Sequence, residues 1–209
     1  MTRPSDTRLL VLHGLRLKGF APAEDVAAVS GVERADVDQH LGELQAGEMV
    51  LYREGRLTGW ALTAVGRSEH ERMLAAELDA IGCRAVVEDA YGRFLELNPE
   101  LLSVCTAWQM KDETRLNPHD DQDYDRGVVE QLGALHDRVE PVLVDLQKEL
   151  DRYNNYRPRF CNALDRVRGG DPDWFAKPMI DSYHTVWFQL HEDLLNTLGI
   201  ERSKEAAHS

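Results

Sequence analysis

The chain's densest chemistry lies in its last helical run, MIDSYHTVWFQLHEDLLNTLG, where His184 and His191 stand among apolar residues and Asp181 precedes His184 by three positions. An earlier helical stretch carries His136 and Glu140, four apart. Side chains three or four residues apart meet on one face of a helix. If the two stretches face each other, Asp181, His184, His136 and Glu140 could hold zinc or a hard divalent ion. His184 and His191 cannot share one ion, because at a rise of ~1.5 Å per residue they stand ~10 Å apart along the axis. A plainer use gives the histidines hydrogen bonds at the edge of a core and pairs His136 with Glu140. No metal or other cofactor is assigned. His136, Asp181, His184, His191 and the neighbouring Trp187 are the candidates for a small-molecule effector pocket.

Other motifs close off chemistry. Asp121, Asp123 and Asp125 alternate like the first ligands of a calcium loop. The sixth position is Arg126 where such a loop needs glycine, and the twelfth is Leu132 where it needs glutamate. A solvated acidic loop is expected. Cys83, Cys105 and Cys161 form no CxxC and sit in apolar settings, which points to a reducing compartment and to inert packing. The chain has no GxSxG, no P-loop and no HExxH, so it is not expected to be an enzyme.

The 209 residues carry 24 Lys+Arg against 37 Asp+Glu, a net charge of −13, and 43% are hydrophobic. This is the composition of a globular protein. Residues 1–80 have a balance of −4 and the rest −9, so neither part is basic. No apolar run reaches the ~18 residues a bilayer span needs. The first residues alternate charge with apolar character, unlike a secretory signal. A cytoplasmic protein with no membrane partner is expected.

These residues need elements to hold them. Asp6 or Ser5 can cap a helix through TRLLVLHGLRLKG, Pro22 opens a second, and Gly31 closes it. Val37, Leu41 and Leu44 form the inward stripe of a third helix. MVLYR and LTGWALT then read as strands around Glu54-Gly55-Arg56, and Thr63 caps the next helix. Helix, helix, helix, hairpin, helix is the winged helix-turn-helix order. The run ADVDQHLGELQAGEMVLYREGRLTGWALTAVGR resembles the third-helix, wing and Leu-Thr-x-x-Gly-Arg block of MarR-like bacterial regulators, over roughly residues 8–80. The resemblance implies a DNA-binding transcriptional regulator. Its partner would be double-stranded DNA, with the third helix in the major groove, the hairpin over the backbone, and a homodimer to read paired half-sites.

The candidate DNA contacts are Arg34, Gln39 and His40 on the third helix and Arg53 and Arg56 on the hairpin. Arg34 suits guanine, Gln39 suits adenine, and the hairpin arginines suit phosphate. Arg16 and Lys18 could add a backbone contact. The third helix departs from the pattern, since Asp36, Asp38 and Glu43 share its outer face and would repel phosphate. The alternatives are a winged helix used only for protein contacts, or a metal-sensing regulator. Converging arginines would mark a DNA binder, and dominant carboxylates an interaction module.

From residue 81 onward the chain reads as an α-helical bundle serving dimerisation or effector sensing. A bend is expected at Gly82, a break at Asn98-Pro99, and a kink or restart at Pro141. The expected fold is mainly α: an N-terminal winged helix over 1–80 and a bundle over 81–209.

Overall fold

The first helix begins where the sequence places its cap: Asp6 Oδ1 accepts the Leu9 N–H at 3.1 Å, and α1 (Thr7–Lys18) follows. The computed structural model describes residues 4–205. Gly31, at φ 70°, terminates α2 (Ala23–Ser30) and turns the chain into α3 (Arg34–Ala46). Val11, Leu12 and Leu15 of α1, Val26 of α2, and Val37, Leu41 and Leu44 of α3 close on one core with Val50 and Leu62. Each such side chain contributes ~1.5–3 kcal/mol when fully buried.

Val50 and Leu62 belong to an antiparallel hairpin, β1 (Val50–Arg53) and β2 (Gly59–Leu62), in which they face each other. Ala21 exchanges backbone bonds of 3.0 and 2.8 Å with Trp60 and so ties the hairpin to the α1–α2 turn. Next comes α4 (Ala64–Ile81). Thr63 Oγ1 accepts the Gly66 N–H at 3.1 Å and donates to the Glu48 carbonyl at 2.7 Å. A Cβ at Gly66 would lie 1.9 Å from the Met49 carbonyl oxygen. Arg67 Nη1 donates to the Leu62 carbonyl at 3.1 Å. The Leu-Thr-x-x-Gly-Arg block therefore has a local cause: cap, close approach and tether.

The remaining helices are α5 (Arg84–Gln109), α6 (Gln122–Glu149), α7 (Tyr156–Arg168), α8 (Asp173–Ala176), α9 (Tyr183–Leu198) and α10 (Arg202–Glu205), with a 3-10 turn at Asp151–Asn155. The protein is mainly helical with one small two-stranded sheet. No helix among the described residues is long and apolar enough to cross a membrane.

The chain forms two compact units that are not consecutive in sequence. One joins the chain up to Ala85 with Gln147–Asn155 and the chain from His191; the other joins Val86–Leu146 with Tyr156–Leu190. In the second, Trp187 packs on Phe94 with ring centroids 4.6 Å apart, and its Nε1 donates to Asn98 Oδ1 at 3.0 Å. Trp108 stacks on Phe175 at 4.4 Å, and Phe160 meets Tyr183 at 5.0 Å.

Three boundaries differ from expectation, at Pro99, Gly82 and the start of the last long helix, and Pro141 does not open the new helix that was one of its two expected outcomes. Pro99 lies inside an unbroken α5, because the stripe Phe94, Leu97, Leu101, Val104 and Trp108 stays buried through it and outweighs one missing amide bond. Pro141 is likewise inside α6, between buried Val139 and Val142. Gly82 does not bend a helix but ends one, at φ 74°. The last long helix starts at Tyr183 rather than near Met179, which has a φ of 69° and is 92% exposed. Ser182 Oγ accepts the Thr185 N–H at 3.4 Å and marks the start.

Candidate functional site

The outer face of α3 is the first place to seek function, since α1, α2 and the hairpin hold its inner stripe and leave the rest exposed. Arg34 does not point free into solvent. Its Nη1 is 2.8 Å from Glu24 Oε1 and its Nε 3.0 Å from Asp38 Oδ2. Gln39 Nε2 donates to Glu43 Oε1 at 3.0 Å, and half-buried His40 sits with Nδ1 3.4 Å from Glu43 Oε2. The two expected base readers, Arg34 and Gln39, are thus each engaged by a carboxylate of the same surface, and His40 lies beside another without a hydrogen bond to it. Backbone hydrogen bonding at the start of α2, then Arg34, holds Glu24 below the usual carboxylate range. The Gln39 amide, with smaller help from His40 and Arg8, does the same for Glu43. Asp25, Glu33 and Asp36 are exposed beside them.

The hairpin differs. Arg53 and Arg56 are exposed, and among the described residues neither makes an ion pair. Arg16 instead donates through Nε to Asn196 Oδ1 at 3.0 Å. The expected basic surface therefore reduces to two arginines on the hairpin.

Several of the residues expected to line an effector pocket have other partners. Asp181 accepts two hydrogen bonds from Arg159 of α7, at 2.8 and 3.0 Å. His136 Nδ1 is 3.4 Å from the Tyr183 hydroxyl and Nε2 is 3.8 Å from Cys161 Sγ. Burial lowers the pKa of both His136 and His184. Trp187 is committed to Asn98, and His191 belongs to the other unit. Glu140 pairs with Arg157 rather than with His136. No group of three or more His, Cys, Asp or Glu among the described residues is arranged to hold a metal ion. Asp121 caps α6 through the Tyr124 N–H at 3.1 Å, and Asp125 takes the Asn117 amide at 2.8 Å, so the alternating aspartates fasten a loop.

A polar cluster that the sequence did not announce lies within the first unit. His13 Nδ1 of α1 is 2.9 Å from His70 Nε2 of α4, so one proton serves both. His13 Nε2 lies 3.0 Å from Asp193 Oδ2 of α9, close but not aligned as a hydrogen bond. Asp193 Oδ1 accepts from Arg152 Nη1 at 2.6 Å, and Arg152 also reaches Glu77 Oε2 at 3.2 Å and Thr197 Oγ1 at 2.9 Å. Tyr153 OH is 3.1 Å from Thr197 Oγ1. Burial opposes the Arg152 charge, but Tyr153, Asp193 and Glu77 outweigh it and raise the pKa. Burial, followed by the charge on His13, pushes His70 down to about 2.

Histidine, aspartate and hydroxyl together invite comparison with a hydrolytic triad. Here the Thr197 hydroxyl contacts Arg152, Asp193 and Tyr153 and no histidine, and the cluster is closed to solvent. It is an internal clamp. The signal for it was slight: one histidine in the apolar run LLVLHGLRL and one aspartate in HEDLL.

Comparison with known proteins finds no matching family model, no matching curated protein and no matching solved structure.

Proposed function

We propose that α1–α4 and the hairpin act as a winged helix that docks a basic protein surface through α2 and α3, not as a reader of duplex DNA. One observation carries this reading. α2, α3 and the turn between them present Glu24, Asp25, Glu33, Asp36, Asp38 and Glu43 to solvent, and the exposed arginine among them, Arg34, is held by two of these carboxylates. A carboxylate ~4 Å from a phosphate costs ~1 kcal/mol at the dielectric of water and ~4 kcal/mol at that of a protein surface. A good bidentate base contact returns ~1–3 kcal/mol. Arg34 and Gln39 would first have to leave their carboxylates. Docking a cationic partner reverses the sign, and Asp25, Glu33 and Asp36 are exposed with no ion pair among the described residues that must first break.

A second reading, a DNA-binding regulator acting as a homodimer, draws on Arg53 and Arg56, whose guanidinium groups face no carboxylate among the described residues. One experiment separates the two. The full chain is titrated with a lysine-rich peptide and with random-sequence duplex DNA across a salt series. The docking reading expects peptide binding that weakens when Asp36→Asn, Asp38→Asn and Glu43→Gln are combined. It expects no change when Asp112→Asn, Glu113→Gln and Asp120→Asn remove as much charge elsewhere. DNA affinity that falls steeply with salt and is lost in Arg53→Ala/Arg56→Ala overturns it.

A further inference from the structure

A cleft of about 670 Å³ opens in the second unit, walled by Val129, Val167 and Pro172 and edged by His119, Arg126 and Arg168. This lies within the ~300–1,000 Å³ typical of small-molecule sites. It is separate from the residues expected to form an effector pocket.

Two features shape it, although Arg168 and His119 are exposed. The first is the seat of Arg168. A Cβ at position 133 would stand 2.6 Å from Arg168 Nη2, so the guanidinium rests on bare α6 backbone that only Gly133 leaves open. Among the described residues Arg168 makes no ion pair and no hydrogen bond, whereas Arg126 is paired with Asp123 at 2.9 Å. The second is the rim. Asp125 takes the Asn117 amide at 2.8 Å and lies 3.0 Å from His119 Nδ1, and His119 holds a left-handed φ of 57° with its ring 4.5 Å from that of Trp108. Trp108, stacked on Phe175 and His119, adds an aromatic ring to the aliphatic wall.

We propose that this cleft binds a small aliphatic monocarboxylate, forked on Arg168, with its hydrocarbon tail on Val129, Val167 and Pro172. A planar carboxylate matches the two parallel N–H groups of a guanidinium. Asp125 and Glu130 border the same cleft and disfavour a doubly charged phosphate. The site is independent of what α3 docks, so either reading can fail alone.

The test is calorimetric titration of the full chain with hexanoate, its neutral counterpart hexanamide, and inorganic phosphate. Hexanoate binds saturably, hexanamide binds roughly tenfold or more weakly, and phosphate does not bind. Arg168→Gln weakens hexanoate by roughly tenfold or more. Gly133→Ala does the same by displacing the guanidinium, and it leaves the helical circular-dichroism signal intact because the displaced group is a flexible side-chain end. If Gly133→Ala fails to fold, Arg168→Gln still decides. No saturable hexanoate binding, or binding that Arg168→Gln leaves unchanged, overturns the proposal. Phosphate binding as tight as hexanoate overturns the assigned ligand class.

Discussion

Asp193→Asn tests whether the buried clamp of the first unit holds that unit together. The side chains of Arg152 and Asp193 are each 2% exposed, and their contact is 2.6 Å. The variant keeps the shape and one acceptor but removes the charge, leaving Glu77, at 3.2 Å, as the carboxylate facing the guanidinium beside the Thr197 hydroxyl. Removing one partner of a buried pair costs ~3–5 kcal/mol, and retention of the acceptor argues for the lower end, ~3 kcal/mol. For a chain of this length that lowers the melting temperature by ~6–12 °C. The assay is urea and thermal unfolding at pH 7, followed by circular dichroism, on wild type, Asp193→Asn, Arg152→Met and the double variant. Removing both charges is less damaging than removing one, so the double variant should lose less than the sum of the singles by ~1–3 kcal/mol. A single-variant loss under ~1 kcal/mol, or strict additivity, refutes the reasoning.

Two further outcomes are expected. His70, with an ordinary pKa of 6.5 and a folded value pushed to about 2, stays neutral in the fold while the unfolded chain takes up a proton. Stability is therefore full above pH 6.5 and declines as pH falls below it, by up to ~1.4 kcal/mol per pH unit. Urea midpoints at pH 7, 6 and 5 measure this, and His70→Gln should flatten the slope; an unchanged slope in the variant removes His70 from the account. Gly66→Ala should destabilise by ~1–3 kcal/mol or more, since its methyl meets the Met49 carbonyl. Gly42→Ala, in open space on exposed α3, should stabilise by ~0.5–1 kcal/mol. Equal effects at the two glycines, read by chemical denaturation, would contradict the assignment of close approach.

The first eighty residues were readable because their signals are local. Asp6, Gly31 and Thr63 each act within three or four residues of themselves, and the period change at Val50 marks the hairpin. The break expected at Pro99 and the restart offered at Pro141 are absent for the opposite reason. Pro99 and Pro141 are locally unfavourable, and burial of side chains on the rest of their helices decided the matter. The partners of the expected effector residues are set at longer range. Asp181 and His184 do share a helix neighbourhood, but no pattern revealed that Arg159 would claim Asp181. Nor does any spacing connect His13, His70, Arg152 and Asp193, which meet only because the chain returns twice to the first unit. The carboxylates on α3 were visible from the start; the fold adds that Arg34 and Gln39 are already taken by them.

That double return has a consequence for biosynthesis. The α1–α4 segment and hairpin leave the ribosome well before Arg152 and later still before Asp193, at roughly 5–20 residues per second. Until both emerge, His13 and His70 have only each other, His13 lacks the Asp193 carboxylate, and Glu77 lacks the Arg152 guanidinium. The clamp inside the first unit therefore closes only after Arg152 and α9 have been made, so this unit cannot finish folding in the order in which its residues are joined.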